Sequence, residues 1–213
     1  MTRVIEKTVY KFDELSDEGK ETARNWWRKC ENQDFDTSFL YDDFENVGKL
    51  IGIEFDQRPV KLMGGGTRYE PTIWWSGLSS QGDGACFEGS YSYAKGAVKA
   101  LTAETGGSEH KLISIAQRLA DVQRRRFYRV EARVKHRGHY YHSHSTDIDV
   151  FDREDNYRNL GDDAETIAEC LRDFMDWIYR SLEEEYKYRM SDASVDESIE
   201  CNEYEFDENG RIV

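Results

Sequence analysis

The feature that most constrains the fold is a long apolar stripe near the C-terminus. Between about Asp162 and Met190, apolar residues recur at spacings of three and four, which is the pattern of one face of an α-helix. The stripe comprises Ala164, Ile167, Ala168, Leu171, Phe174, Met175, Ile178, Leu182 and Tyr186. At roughly 1.5 Å per residue such a helix extends about 40 Å. It requires a broad apolar surface, and one face of a β-sheet is the natural partner.

The rest of the sequence supplies that sheet and further helices. Across 53–93, short β-branched or aromatic runs alternate with glycine-rich breaks, which predicts antiparallel strands. Helical periodicity predicts one helix with Ser16 at its N-cap, a second from about Asp36, and two more within 94–126.

A basic β-hairpin completes the predicted sheet. Two alternating runs flank Arg137 and Gly138, which places the glycine in the turn. The order of elements predicts a single α+β domain over residues 1–213, with an antiparallel sheet packed by several amphipathic helices. The acidic C-terminal segment, about 191–213, is expected to form an extension of that domain.

Charge is distributed unevenly along the chain. The net charge is −14, and residues 151–213 carry 20 Asp and Glu against 7 Lys and Arg. Residues 118–137, in contrast, carry eight Lys and Arg against two Asp and Glu. Such asymmetry favours a charged partner. The two segments can equally solvate the surface or pair with each other.

The sequence gives no indication of a membrane or secreted protein. No apolar run approaches the length of a bilayer span, and the first residues carry charges where a signal peptide needs an apolar core. The cysteines show no CxxC spacing, so we expect reduced thiols in a cytoplasmic protein. They are Cys30, Cys86, Cys170 and Cys201.

The segment WWSGLSSQGDGACFEG, at 74–89, has two interpretations. It is either a hairpin loop in which Gly82 and Gly84 adopt positive φ, or a polar loop beside an aromatic wall that holds a flat ligand and its phosphate. It is not a P-loop, because no lysine follows the glycines. Together with the basic hairpin, it provides the ligand-binding candidates Trp75, Ser79, Ser80, Gln81, Asp83, Glu88, Arg137, His139, Tyr140 and His142.

Histidines cluster in the predicted hairpin, with two aspartates close behind. They are His136, His139, His142 and His144, followed by Asp147 and Asp149. Such residues can bind a divalent metal, but on one strand the last two histidines and the aspartates would point to opposite faces. A two-residue turn places His142 opposite Arg133 and His144 opposite Glu131. We therefore interpret the histidines as partners of charged neighbours, and we predict no metal and no cofactor.

Catalytic chemistry is not predicted. Cys86 lies in a polar, glycine-rich setting, but a nucleophilic cysteine needs a neighbouring base, and the sequence shows none beside it. With no complete catalytic set, we expect a protein that is not an enzyme.

The run RRRFYRVEARVKHRGHYYH, at 124–142, combines cations for phosphate with rings for stacking. The isoelectric point near 4.8 opposes binding of a long polyanion. A small anionic nucleotide is more compatible, and direct binding of long nucleic acid is not expected. Alternatively, the basic hairpin pairs with the chain's own acidic end.

Four stretches resemble a family of small accessory proteins encoded by bacteriophages and prophages, often labelled antitoxin-like. They are VYKFDELSDEGKETARNWW, WSGLSSQGDGACFEGSYSY, RRRFYRVEARVKHRGHYYH and YRMSDASVDESIECNEYEF. The resemblance implies a phage accessory protein made in the host bacterial cytoplasm. It supplies no catalytic residue to carry over.

The charge layout and this resemblance together suggest a binding protein that counters a bacterial defence system. An acidic surface can occupy a protein surface built for nucleic acid, because carboxylates reproduce the field of phosphates. The expected acidic contacts with a defence protein or complex are Asp162, Asp163, Glu183, Glu184, Glu185, Asp192, Asp196 and Glu197.

Two alternatives remain open. One is a sponge for a nucleotide immune signal, with contacts at Trp75, Gln81, Asp83, Arg137 and Tyr140. The other is an antitoxin that neutralises a toxin.

Overall fold

A computed structural model describes residues 7–33, 35–78, 80, 82–155 and 158–213. The helices are α1 Asp17–Gln33, α2 Ser38–Ile51, α3 Ala97–Glu104, α4 His110–Arg125, α5 Asp162–Arg189 and α6 Asp192–Cys201. The strands are β1 Ile53–Phe55, β2 Gln57–Lys61, β3 Thr67–Pro71, β4 Ile73–Ser76, β5 Gly84–Phe87, β6 Gly89–Tyr91, β7 Val130–His136 and β8 Thr146–Asp152. The α+β class and the long C-terminal helix are confirmed.

The chain divides into two compact units. The first unit combines the residues up to Asp36 with Glu183–Val213, and the second unit is Thr37–Leu182. Each unit has its own cluster of buried apolar side chains. The prediction that the whole chain forms a single domain stays a prediction.

The central part of the apolar stripe of α5 is buried in the second unit, as its spacing predicts. Ile167, Leu171 and Phe174 are fully buried. The Phe174 ring lies 6.0 Å from the ring of Phe87 in β5 and 6.3 Å from that of Phe55 in β1. The helix therefore packs on the sheet, and the edge-to-face contact of Phe174 with Phe87 adds to the burial of apolar surface.

The sheet of the second unit is antiparallel, in the order β1-β6-β7-β8. Two further two-stranded ribbons, β2–β3 and β4–β5, branch from it. At three places a single residue separates two successive strands that pair with different neighbours. These places lie between β1 and β2, between β3 and β4, and between β5 and β6. These residues are Asp56, Thr72 and Glu88.

The three residues bond to one another in a closed ring, which we call the β-junction. The amide of Asp56 donates to the carbonyl of Glu88 at 2.9 Å, the amide of Glu88 to Thr72 at 2.9 Å, and the amide of Thr72 to Asp56 at 2.6 Å. The amide and carbonyl groups of these three residues therefore keep a hydrogen-bond partner where the strand pairing changes, as buried backbone groups require. The sheet and its two ribbons can therefore meet at one point without leaving these amides unbonded.

The predicted turn of the basic hairpin is wrong. The strands β7 and β8 do pair, but nine residues, 137–145, connect them, and they include a short 3-10 turn at Ser143–Ser145. Arg133 consequently pairs with Asp149 and Glu131 with Phe151, not with histidines. Burial decides the register, because Ser143 and Thr146 lie in the interior and the Thr146 hydroxyl donates to the Ser143 carbonyl at 2.7 Å.

The first unit is built on α1 and α6. The Ser16 hydroxyl accepts from the amide of Gly19 at 3.1 Å, which confirms the predicted N-cap. Arg24 bonds both carboxylate oxygens of Asp196 at 2.7 Å, and Arg28 pairs with Asp192. Phe206, in the acidic C-terminal segment, is fully buried in this unit.

Gly89 provides a test of the β-junction. A methyl group at this position would overlap the carbonyl oxygen of Glu54 on the paired strand. We expect Gly89→Ala to lower the free energy of unfolding by about 1–3 kcal/mol, the usual cost of overpacking. Urea denaturation measures the change.

The matched control is Gly64→Ala, because a methyl at Gly64 meets no atom within 4 Å. We expect this variant to change the free energy of unfolding by no more than about 0.5 kcal/mol. Equal denaturation midpoints for the two variants would contradict the close approach at Gly89.

Candidate functional site

The structure brings the 74–89 segment together with the loop of the basic hairpin. A methyl at Gly84 would lie 2.8 Å from Cδ2 of His142 and 3.1 Å from the carbonyl oxygen of Tyr141. The Trp74 ring stacks on Tyr141, with centroids 5.7 Å apart and planes 13° apart. A side chain at position 84 would separate these two loops, so their contact depends on glycine.

Two further flat groups contact this stack. The Arg58 guanidinium lies 4.6 Å from the Trp74 ring centroid, and the His136 ring lies 5.2 Å from the Tyr141 ring. Sequence analysis missed Arg58 and Tyr141. Tyr141 was missed because the predicted two-residue turn placed it on a strand. Arg58 was missed because it is far from the hairpin in sequence, and no sequence pattern indicates that the two are close in space.

Several ligand-binding candidates are engaged in holding the loops. The Asp83 carboxylate accepts from the amide of Ser80 at 2.6 Å. Glu88 accepts from the amide of His136 at 3.2 Å, and Arg137 pairs with Asp147 at 3.1 Å. These side chains stabilise the local structure of the loops, so fewer of their hydrogen-bonding groups are available to a ligand.

The remaining candidates differ in exposure. Tyr140 and His139 are exposed, and Trp75 is half-buried. His142 accepts from the amide of His144 through Nδ1 at 3.2 Å, and the two rings stack at 5.4 Å. Ser79 and Gln81 lie outside the described residues. Among the described residues, no group of three or more His, Cys, Asp or Glu is arranged to hold a metal ion.

Cys86 is fully buried at the base of this contact. Burial raises the pKa of its thiol to about 12, with a further contribution from the charge of Glu88, and a hydrogen bond from the backbone of His142 only partly opposes this. A nucleophilic cysteine requires the opposite shift. The environment of Cys86 therefore disfavours the thiolate.

Of the eight predicted acidic contacts, five already have partners within the chain. Glu183 pairs with Lys187, Glu185 with Arg189, Asp192 with Arg28, Asp196 with Arg24, and Asp163 with both Arg125 and Arg126. Burial works to raise the pKa of the Asp163 carboxyl, but bonds from its two arginines outweigh it and hold that pKa below its ordinary value.

Exposed glutamates provide the unpaired negative charge of residues 183–213. Glu184 and Glu197 were predicted, and four others were missed because the sequence does not show which acids pair. We call the full group the acidic set: Glu184, Glu197, Glu200, Glu203, Glu205 and Glu208. None of them lies within 4.0 Å of a basic group in the described part of the chain.

Pairing within the chain also neutralises much of the basic segment. Arg118 bonds Glu169 at 2.7 Å and Asp173 at 2.8 Å, and Arg129 pairs with Glu154. With the two arginines on Asp163, four arginines of 118–137 therefore pair with acids of 151–213, as one alternative predicted.

A comparison with protein families identifies the chain. Residues 37–192 match the model described as Domain of unknown function (DUF8835). The chain belongs to the DUF8835 family. No curated protein and no solved structure matches it.

The DUF8835 match contains the β-junction, the loop contact and the basic segment, whereas most of the acidic set lies beyond its end at residue 192. The family description does not state an activity. The resemblance to phage-encoded proteins stays a prediction. Across the helices described, none has the combination of length and apolar character needed to cross a bilayer.

Thiol reactivity tests the environment of Cys86. Cys30 and Cys201 are exposed, whereas burial raises the pKa of both Cys86 and Cys170 to about 12. At pH 8 a thiol with that pKa is thiolate in only about one molecule in ten thousand. We expect a disulfide reagent to titrate two thiols rapidly in the folded protein and four in denaturant. A third thiol reacting as fast as the first two would contradict the burial of Cys86 and Cys170.

Proposed function

We propose that this DUF8835 protein is a non-enzymatic binding protein of the bacterial cytoplasm. It acts stoichiometrically, by presenting the acidic set to the basic surface of a protein that handles nucleic acid. The observation that supports this best is the set of six exposed glutamates without counter-ions in the described part of the first unit.

The charge balance of the segment that holds these glutamates favours a cationic partner. Residues 183–213 contain 11 Asp and Glu against three Lys and Arg. The arginines of α1 that approach this segment are engaged by aspartates, Arg24 by Asp196 and Arg28 by Asp192. The glutamates therefore keep their field, and a partner with Lys and Arg at phosphate-binding positions gains both attraction and faster association.

Part of the acidic set is grouped around a cavity. Glu200 and Glu203 line a cavity of about 270 Å³ in the first unit, together with Asp13 and one cation, Lys11. The backbone of Glu203 has a φ of 54°, in the left-handed region that few residues other than glycine occupy. A constrained backbone loses less conformational entropy on binding than a mobile one.

The resemblance to phage accessory proteins specifies the partner further. It suggests a protein or complex of a bacterial defence system, many of which handle nucleic acid. Inhibition would follow from occupancy, because the acidic set competes with the phosphates of the partner's own ligand.

Affinity capture from a bacterial lysate tests the role of the acidic set. The variant Glu197→Gln, Glu200→Gln, Glu203→Gln removes three charges without removing side-chain volume. We expect immobilised wild-type protein to retain a partner that added DNA displaces, and the variant to lose at least about 90% of it, since rim and surface charges chiefly set electrostatic association.

The matched control is Asp43→Asn, Glu54→Gln, Glu104→Gln, which removes the same charge from exposed positions of the second unit. It should retain the partner as well as the wild type. The hypothesis is falsified if the glutamate variant and the control retain the same proteins, or if DNA displaces none of them.

A second candidate function, sequestration of a nucleotide immune signal, is supported by one observation. The 74–89 segment and the hairpin loop meet at the Trp74–Tyr141 stack, and the adjacent loop residue Tyr140 has an exposed ring. A nucleotide base could stack on such a ring, and loop amides could contact its phosphate.

Calorimetry against a panel of cyclic and ADP-ribose-type nucleotides tests this candidate. If the loop contact binds one of them, Tyr140→Ala should weaken binding by at least about tenfold, because stacking on one ring contributes on the order of 1–3 kcal/mol. Tyr188→Ala, which removes an exposed ring from the first unit, should have no effect. Absence of heat for the whole panel would exclude the sponge.

A further inference from the structure

Two consecutive aromatic residues adopt strained backbone conformations where α4 ends. Phe127 has a φ of 53° and Tyr128 a φ of 62°, both in the left-handed region. Glycine is the usual residue at such a helix terminus, because a Cβ atom is unfavourable there. Two large side chains therefore occupy positions where the backbone favours glycine.

The surrounding structure imposes this conformation. The amide of Tyr128 donates to the carbonyl of Gln123 at 2.7 Å, which closes the helix. The fully buried Gln123 side chain donates to the carbonyl of Val130 at 2.6 Å and accepts from its amide at 3.3 Å. The chain must therefore turn sharply between α4 and β7, whichever residues fill the turn.

Packing does not account for the aromatic residue at position 127, because the Phe127 side chain is 72% exposed. The Tyr128 side chain is 46% exposed, and its ring lies 4.5 Å from the ring of Tyr93, so these two tyrosines form one surface patch. Backbone strain of this kind clusters at functional sites, and here the strained residue Phe127 displays a flat ring to solvent.

One guanidinium lies against these rings. The Arg129 guanidinium is 5.5 Å from the Phe127 ring centroid, and it also pairs with Glu154. The amide of Arg153 donates to the Arg129 carbonyl at 2.9 Å, so the Arg153 backbone is next to that of Arg129. The side chains of Arg124 and Arg153 are exposed, and their ion pairs are with Asp121 and Glu131. Exposed ion pairs contribute little, so a phosphate can replace these carboxylates at small cost.

We propose that this patch binds a nucleotide, with its base stacked on Phe127 and Tyr128 and its phosphate on the neighbouring arginines. Rings for stacking beside cations for the backbone are the combination that binds single-stranded nucleic acid. The net charge of −14 limits the site to one or a few nucleotides, and binding weakens as salt rises. The proposal is independent of the acidic set and of the loop contact at Trp74.

The key variant is Phe127→Gly, which removes the ring and relieves the backbone at once. Phe127→Ala removes the same ring but keeps the strain. We expect the melting temperature of the glycine variant to exceed that of the alanine variant by about 2–4 °C, so any loss of binding by the glycine variant cannot come from unfolding. Tyr69→Ala, which removes another exposed ring of the second unit, is the matched control.

Binding is measured by fluorescence anisotropy of a labelled 12-residue oligothymidylate at 50 mM salt. We expect both Phe127 variants to weaken binding by at least about tenfold and Tyr69→Ala to leave it unchanged. Competition with thymidine monophosphate separates the two sources of the ligand: displacement at micromolar concentration identifies a free nucleotide, and displacement only by unlabelled strand identifies a single strand.

The proposal is wrong if the wild-type protein binds neither probe, which would leave the rings to a protein partner. It is equally wrong if Phe127→Gly binds as tightly as the wild type. Either result leaves the proposal for the acidic set untouched, because that experiment uses different residues and a different readout.

Discussion

The second unit depends on the closed ring of backbone hydrogen bonds at the β-junction. A strand that changes partner normally leaves an amide or a carbonyl without a ladder bond, and a buried orphan of that kind costs about 1–3 kcal/mol. Here the backbone groups of Asp56, Thr72 and Glu88 hydrogen-bond to one another, so the strand pairing changes at all three positions together. One sheet and two ribbons can then share a single core.

Side chains of the β-junction extend its effect to the candidate site. Glu88 accepts from the amide of His136, where β7 ends, and Asp56 pairs with Arg133 on the same strand. The direction in which the β4–β5 ribbon leaves the sheet is therefore linked to the position of the hairpin loop. That link brings Trp74 to Tyr141, and it explains why the loops meet although more than 50 residues separate them in sequence.

The features of the fold that depend on local periodicity were predicted from the sequence. The α5 stripe, the Ser16 cap and the strand character of 53–93 follow from spacings within a few turns or residues, and the structure has them. The β-junction could not be predicted, since no pattern within a strand records where it exchanges partners. The hairpin turn was wrong because burial of Ser143 and Thr146 overrides the turn preference of Arg137 and Gly138.

The same distinction between local and long-range effects applies to charge. The sequence shows where acids and bases are concentrated, but long-range pairing decides which of them act outward. Aspartates of the acidic end largely pair with arginines of α1 and α4, whereas the glutamates of 197–208 form no ion pair in the described part of the chain. The first unit therefore keeps a group of unpaired glutamates, whereas the arginines of the basic segment already pair with acids of the second unit.

The two proposed binding surfaces thus differ in both chemistry and place along the chain. Phe127 and Tyr128 lie inside the DUF8835 match, and five of the six glutamates of the acidic set lie beyond its end. A nucleotide patch within the family region and an acidic segment outside it would bind a small ligand and a protein partner through different parts of the same chain. If both surfaces act, occupancy of one need not alter the other, since their contacts share no residue and each unit has its own core.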